Sequence, residues 1–346
     1  MSNSILAAST DGQSPKIESA AAPIVEVQDL HVRFVTPEAT VYAVNGVDFS
    51  LHPGEVLCIL GESGSGKSVT LRALQRLLPE NRAEIEGSIR VDGTDVLTMS
   101  KPELTAMRGT KVAMIFQEPM TALDPVYTVG QQIAETIVRH EGVDRNTATA
   151  RALELLEMVQ IPSAKRRLKS YPHELSGGLR QRAMIALALS CRPRVLLADE
   201  PTTALDATVQ IQILLLLRSL QREMGMGVIF VTHDVGVAGE IADRLAVMYA
   251  GRFIETGPTV DVIRKPLHPY AEGLLNSTVH GSMRGKRLNA IPGSPPNLES
   301  LPPGCSFAPR CAYAEDRCVG AVPPPLTVGT NRMARCVRVN DEPTSS

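Results

Sequence analysis

The chain contains no tryptophan, and aromatic residues make up only 3% of its 346 residues. Single-stranded nucleic acid binds by stacking its bases on aromatic side chains, so surfaces of that kind are scarce here. The sequence also lacks an excess of one charge, because 35 Lys and Arg stand against 37 Asp and Glu and leave a net charge of -2. Without the basic surplus that carries most nucleic-acid affinity, constitutive binding of DNA or RNA is disfavoured.

Long apolar runs are missing as well. No stretch approaches the ~20 consecutive apolar residues that a membrane-spanning helix needs, so the chain is not expected to span a bilayer. Residues 1–23 are rich in Ala and Ser and lack the charged and apolar regions of a secretory signal. We expect these residues to form a disordered tail on a cytoplasmic protein.

The hydrophobic pattern predicts two kinds of sheet. Residues 24–35 alternate in strand fashion and predict an N-terminal antiparallel sheet. The short unbroken apolar runs at 56–60, 195–198 and 228–231 are typical of strands covered on both faces, hence of a parallel sheet in an α/β layer. The segment between the first two runs is largely helical and predicts a small helical subdomain at about residues 120–180.

A phosphate-binding loop follows the first apolar run. Residues 61–68 match the pattern G-x-x-x-x-G-K-[ST], in which glycines let backbone N–H groups and a helix N-terminus face the phosphates. Lys67 is predicted to reach the β and γ phosphates of ATP, and Ser68 to supply an oxygen to Mg²⁺. The predicted ATP-binding residues of this loop are Gly61, Glu62, Ser63, Gly64, Ser65, Gly66, Lys67, Ser68 and Val69.

The second apolar run delivers two carboxylates, Asp199 and Glu200, to the end of a buried strand, where α/β sheets bind ligands. Asp199 is predicted to hold Mg²⁺, and Glu200 to orient or deprotonate the attacking water. Acidic residues are common at strand ends, so the phosphate loop upstream is what favours this role. Just before that strand, residues 175–182 read Leu-Ser-Gly-Gly-Leu-Arg-Gln-Arg and predict another helix start suited to an anion.

With this last motif, residues 24–265 resemble the ATP-binding cassette (ABC) ATPases, whose signature loop reads Leu-Ser-Gly-Gly-x-x-Gln. The resemblance implies an α/β, ABC-type P-loop NTPase fold, with a RecA-like core, an N-terminal antiparallel β-subdomain and a helical subdomain. It also implies two further catalytic residues beside Glu200 and Lys67. Gln117, within Phe-Gln-Glu-Pro, would contact Mg²⁺ and the water, and His233 would contact the γ-phosphate.

The resemblance assigns other residues to adenine and to a second subunit. Phe34 would stack on adenine, with Tyr42 a weaker candidate, and Asp206 would communicate across a dimer. In this family two cassettes pack head to tail, so that each ATP is sandwiched between the phosphate loop of one subunit and the signature loop of the other. The signature residues are Ser176, Gly177, Gly178 and Gln181. A monomer is therefore expected to hydrolyse ATP poorly.

Residues 266–346 shift to Pro and Gly and predict an extended, loop-rich appendix. Its segments 266–270, 291–293 and 302–311 resemble the C-terminal extension of oligopeptide and dipeptide importer ATPases. The resemblance implies a peripheral subunit on the cytoplasmic face of the inner membrane. Its partners would be two integral-membrane permeases, a second homologous ATPase or a second copy, and an extracytoplasmic solute-binding protein.

Two alternatives stay open for the function. Relatives with the same extension also serve nickel and glutathione uptake, so the substrate is not fixed. A soluble cassette ATPase acting on DNA or ribosomes is less favoured, because such proteins typically carry long coiled-coil insertions or two cassettes in one chain.

Four of the six cysteines, Cys305, Cys311, Cys318 and Cys336, lie in the appendix. In a cytosolic chain such a cluster favours metal over disulfide. Their spacing, C-x5-C-x6-C-x17-C, matches neither the close pairs of zinc sites nor the ferredoxin run. The resemblance implies a [4Fe-4S] cluster held by these four cysteines, with zinc as the alternative.

Overall fold

The computed structural model describes residues 22–118, 122–203, 205–277 and 291–340. The tail predicted at residues 1–23 lies outside the described residues, apart from Ala22 and Pro23.

The described strands are β1 Val25–Val35, β2 Thr40–Leu51, β3 Val56–Leu60, β4 Ala83–Val91, β5 Thr94–Asp95, β6 Val112–Ile115, β7 Val195–Asp199, β8 Gly227–Thr232, β9 Arg244–Tyr249, β10 Arg252–Pro258, β11 Leu326–Val328 and β12 Arg332–Ala334. The described helices are α1 Lys67–Leu74, α2 Lys101–Met107, α3 Val129–Glu141, α4 Arg145–Met158, α5 Ala164–Arg167, α6 Gly177–Ala188, α7 Ala207–Met224, α8 Val235–Ile241, α9 Thr259–Arg264, α10 Pro269–Asn276 and α11 Asp316–Gly320.

The predicted N-terminal antiparallel sheet is present. Within the described residues its strand order is β2-β1-β4-β5, and all of its pairings are antiparallel. Alternate positions of β1, such as Val25 and Val27, are buried against the core that this sheet shares with the second one. The alternation of apolar and polar residues is thus explained by a sheet with one covered face.

The second sheet has the order β11-β12-β10-β9-β3-β8-β7-β6 among the described residues. The five strands from β9 to β6 are parallel, as predicted from the apolar runs, and β3, β7 and β8 are buried along their whole length. Because β8 lies between β3 and β7, the carboxyl ends of these three strands meet at one edge of the sheet. That edge is where the phosphate loop, the Asp199–Glu200 pair and His233 follow their strands.

The C-terminal segment contributes strands to this sheet. Although its composition predicts loops, β11 and β12 form a short hairpin, and β12 pairs antiparallel with β10. Gly329, with φ of 65°, lies in the turn between them, a conformation that glycine adopts without strain. The sheet therefore crosses the predicted boundary at residue 265, and the division of the chain into domains stays a prediction.

Helices α3 to α6 form a helical layer over the region predicted as a helical subdomain. Thr128 caps α3 in a reciprocal arrangement with Gln131, and Asp144 caps α4 by accepting from the backbone N–H groups of Asn146 and Thr147. Their buried side chains, among them Ile133 and Leu156, join the apolar core that also contains β3 and β7 residues. Capped helices α3 and α4 and helix α6, which begins at the signature motif, thus share one core.

Candidate nucleotide site

The phosphate loop wraps around its own lysine. Lys67 is 4% exposed, and its Nζ donates to the carbonyl oxygens of Gly61, at 2.8 Å, and Glu62, at 2.9 Å. Burial lowers the pKa of Lys67, and the carboxylates of Glu200 and Asp199 oppose that shift. A buried ammonium held by only two carbonyl groups can take a phosphate oxygen as a further partner.

Backbone geometry explains the glycines of the loop. A Cβ at Gly61 would lie 2.3 Å from the carbonyl oxygen of Met248, and one at Gly66 would lie 2.3 Å from that of Ala43. Ser65 is buried, and its Oγ has no hydrogen-bond partner within the described part of the chain. A buried hydroxyl without a partner is costly unless a ligand satisfies it, so the loop fits a phosphate group.

The two residues predicted to hold Mg²⁺ beside the phosphate loop, Ser68 and Asp199, lie together, and the Ser68 hydroxyl donates to Asp199 Oδ1 at 2.7 Å. Asp199 is 1% exposed, and burial raises the pKa of its carboxyl group while the Ser68 hydrogen bond opposes the shift. In the described ranges no three His, Cys, Asp or Glu side chains are arranged to hold a metal ion. These oxygens fit Mg²⁺, which proteins commonly hold through one or two side chains together with nucleotide phosphates.

Three predicted catalytic residues meet at the Glu200 carboxylate. Its Oε2 lies 3.3 Å from Gln117 Nε2 and 3.2 Å from His233 Nδ1. Thr203 Oγ1 also donates to Oε2, at 2.9 Å, a contact that the sequence did not predict. The Glu200 side chain is 10% exposed and that of His233 is 55% exposed, so the cluster lies at the surface end of the sheet.

Backbone strain aims Glu200 into this cluster. Its φ is 46°, in the left-handed region that residues other than glycine rarely adopt, at a cost of about 1–3 kcal/mol. Its N–H donates to the carbonyl oxygen of Val231, next to the start of the His233 segment. The turn thus places the carboxylate beside His233 rather than in line with β7.

The signature residues lie apart from this cluster. Ser176 precedes α6, and both Ser176 and Gly177 are exposed, so the start of this helix is open to a ligand. A Cβ at Gly178 would lie 2.8 Å from Val209 Cγ1 of α7, and Asp206 caps α7 by accepting from Val209 N–H. Gln181 is 2% exposed inside the helical layer.

The aromatic candidates differ in exposure. Phe34 is partly buried and packs against the core beneath the N-terminal sheet, whereas Tyr42 is 38% exposed. Val69 also packs against that core, and Ser63 and Gly64 lie exposed at the tip of the loop. Stacking of Phe34 on adenine stays a prediction.

Comparison with known proteins gives the family. Residues 44–203 match the family described as ABC transporter, and residues 254–318 match the family described as oligopeptide/dipeptide transporter, C-terminal region. The oligopeptide transport ATP-binding protein OppD of Salmonella typhimurium is 47% identical over 319 residues, which cover 92% of this chain and 95% of that protein. OppD of Escherichia coli is 46% identical over 329 residues, covering 95% and 97%.

The chain belongs to the ABC transporter ATP-binding proteins. Solved structures agree with this assignment. The dimeric structure of a bacterial ABC transporter cassette is 30% identical, with a TM-score of 0.61, and covers 68% of this chain and 98% of that one. The structure of cbiO1 of Clostridium perfringens is 28% identical, with a TM-score of 0.60, and covers 70% and 91%. The predicted fold class and the predicted ABC-type ATPase are confirmed.

Sequence reasoning missed the contact between the C-terminal segment of this ABC protein and its phosphate loop. Arg310 pairs with the Glu62 carboxylate, and the Tyr270 hydroxyl accepts from the Glu62 N–H at 2.9 Å. Arg310 and Glu62 are 248 positions apart, so no local pattern could have joined them. The nearest signal in the sequence is the segment Pro309-Arg310-Cys311, in which the cysteine predicts a metal ligand and nothing local predicts the arginine contact.

The four clustered cysteines come together in the described structure. All four line one cavity of about 20 Å³, and all are free thiols. That volume holds roughly one water molecule. Burial raises the pKa of the Cys305, Cys311 and Cys336 thiols, which favours their neutral form. The predicted [4Fe-4S] or zinc centre is therefore not supported, because no ligand grouping for a metal is found among the described residues.

None of the helices in the described ranges combines the length and apolar character needed to cross a membrane.

Proposed function

We propose that the protein is the ATP-hydrolysing subunit of an ABC importer for dipeptides or oligopeptides. The observation that carries the ATPase chemistry is the meeting of Gln117, Glu200 and His233 at one carboxylate oxygen. The peptide substrate is supported by the OppD relatives, whose names describe oligopeptide transport, and by the matching C-terminal region.

In this proposal Glu200 orients the attacking water and accepts its proton. Thr203 and Gln117 hold the carboxylate, and His233, which also lies beside it, would contact the γ-phosphate. Lys67 and the unpartnered Ser65 hydroxyl bind phosphate oxygens, so negative charge that develops during hydrolysis is stabilised by groups already in place. Bound Mg²⁺, held by Ser68 and Asp199 with Gln117 nearby, would neutralise phosphate charge.

A second cassette completes the site. The exposed helix start at Ser176 and Gly177 suits the γ-phosphate of an ATP held by a partner cassette, since a helix N-terminus favours negative charge. The solved cassette of similar fold is described as dimeric. We propose a homologous ATPase or a second copy as that partner, with two membrane permeases and a solute-binding protein, on the cytoplasmic face of the inner membrane.

Uptake measurements test this proposal. A strain that lacks the gene is complemented with the wild type or with Glu200→Gln, and uptake of labelled dipeptide, oligopeptide, glutathione and nickel is measured. Peptide uptake restored by the wild type alone supports the proposal. Restored uptake of nickel or glutathione without peptide uptake would replace the substrate class and leave the ATPase assignment intact.

The [4Fe-4S] cluster, with zinc as its alternative, stays a prediction that depends on the cysteine content and the resemblance. Its check is iron, zinc and acid-labile sulfide analysis of protein purified without oxygen. Stoichiometric iron and sulfide would require the walls of the thiol cavity to move apart.

A further inference from the structure

Two residues of the C-terminal segment, Arg310 and Tyr270, contact Glu62, the second residue of the phosphate loop. Arg310 Nη1 and Nη2 donate to the two Glu62 carboxylate oxygens, at 2.7 and 3.0 Å. The Arg310 side chain is 5% exposed and that of Glu62 is 27% exposed, so solvent screens this pair little. A bidentate, charge-assisted pair of this kind fixes both position and orientation.

Other contacts hold Arg310 itself in place. Its Nε donates to the carbonyl oxygen of Pro292 at 2.8 Å, and its Nη1 also reaches the Tyr249 hydroxyl at 3.3 Å. Phe307 packs edge-on against the Tyr249 and Tyr270 rings, with centroids 5.3 and 5.4 Å apart. The guanidinium is thus a rigid element that belongs to the core of the C-terminal segment.

The backbone of Glu62 completes a path to the catalytic lysine. Its N–H donates to the buried Tyr270 hydroxyl, and its carbonyl oxygen accepts from Lys67 Nζ at 2.9 Å. One residue therefore connects the C-terminal segment, through its side chain and its N–H, to the ammonium that binds phosphate.

We infer that Arg310 is a positioning residue for ATP binding, which acts by holding Glu62 and hence the first turn of the phosphate loop. The inference rests on ATP binding at this loop and is independent of the transported substrate. Loss of the guanidinium removes the partner of the Glu62 carboxylate and so loosens one of the two carbonyl groups that hold Lys67. The affinity for ATP should then fall while the catalytic groups at Glu200 stay unchanged.

The test is a double-mutant cycle on the full-length protein. The dissociation constant of a non-hydrolysable ATP analogue is measured for the wild type, Arg310→Met, Glu62→Gln and the double variant. We expect Arg310→Met to weaken binding about tenfold, and to weaken it less than about twofold on the Glu62→Gln background, because the two residues act as one pair. Arg310→Lys keeps the positive charge but cannot donate two parallel hydrogen bonds to the carboxylate. Its dissociation constant should lie between those of the wild type and Arg310→Met.

A matched control removes an arginine from the same segment. Arg317 pairs with Glu315 at the surface, and Arg317→Met should leave the dissociation constant unchanged. In steady-state hydrolysis Arg310→Met should raise KM more than it lowers kcat, a split that general destabilisation would not give. Should Arg310→Met fail to fold, Tyr270→Phe removes only the hydroxyl that accepts from Glu62, and it should also weaken binding.

Wild-type affinity in Arg310→Met and Tyr270→Phe, or equal effects of Arg310→Met with and without Glu62, would overturn the inference. If the wild type itself failed to bind the analogue, the proposed ATP site would be wrong, whatever the role of Arg310. The two failures are thus distinguishable.

Discussion

Replacement of Arg332 by Met should destabilise the protein by about 3–5 kcal/mol, the usual cost of leaving one member of a buried ion pair without its partner. The affected group is Glu255 on β10, which is 0% exposed and accepts from Arg332 Nη2 at 2.7 Å. It also accepts from the backbone N–H groups of Leu267 and His268. Two N–H groups do not neutralise a buried carboxylate, so the charge would remain uncompensated.

The loss of stability in Arg332→Met should depend on pH, in a direction that the pKa of Glu255 gives. Burial raises the pKa of Glu255 even with Arg332 present, and loss of the guanidinium would raise it further. A carboxyl group whose pKa is higher in the folded state binds more protons there, so its contribution to stability is lost as pH rises through that pKa. The difference in the free energy of unfolding between the wild type and Arg332→Met should therefore become smaller as pH falls from 8 towards 5.5.

Urea unfolding followed by far-UV circular dichroism measures both effects. Glu255→Gln/Arg332→Met should recover part of the lost stability, because an amide in place of the carboxylate removes the buried charge. The control Arg317→Met breaks an exposed pair and should cost about 1 kcal/mol or less. A loss below about 1 kcal/mol in Arg332→Met, or a deficit that grows at low pH, would refute the reasoning.

Three further predictions concern the nucleotide site. Glu200→Gln should bind ATP with near wild-type affinity and lose at least about a hundredfold in turnover, measured by phosphate release, because its carboxylate is the group placed to accept a proton from water; wild-type turnover would exclude it as the base. Asp199→Asn should abolish Mg²⁺-dependent hydrolysis yet raise the urea midpoint of the metal-free protein at pH 8, since burial disfavours the charged form of Asp199; an unchanged or lower midpoint would contradict this. Gly61→Ala should lose ATP binding in calorimetry because its Cβ would lie 2.3 Å from the Met248 carbonyl oxygen, whereas Gly320→Ala, with nothing within 4 Å, should bind normally.

Local patterns explain which parts of the fold could be predicted. The apolar runs at β3, β7 and β8 and the glycine spacing of the phosphate loop are properties of short segments, and their context predicts a parallel sheet with a shared ligand edge. The meeting of Gln117, Glu200 and His233 follows from the order of those strands. The left-handed backbone of Glu200 carries no local signal, because glycine would be expected there.

Long-range pairs explain what could not be predicted. Glu255 and Arg332 are 77 positions apart, and strands β11 and β12, of three residues each, lie in a Pro-rich region whose composition is typical of loops. Their pairing with β10 depends on tertiary contacts rather than on propensity. The cysteines show the same limit, since spacing alone does not give the size of the cavity that they line.

The sheet that continues from β9 through β10 to β12 has a consequence for how such a chain can vary during evolution. A recombination breakpoint between residues 265 and 330 would bring a hairpin from another protein to β10 in place of β11 and β12. Glu255 would then lose Arg332, and a hairpin that did not match the register of β10 would leave backbone groups on that strand unpaired. The cassette and its C-terminal segment should therefore be inherited as one piece. Positions 62 and 310, and likewise 255 and 332, should change together among relatives, and functional chimaeras should be those that exchange both members of each pair.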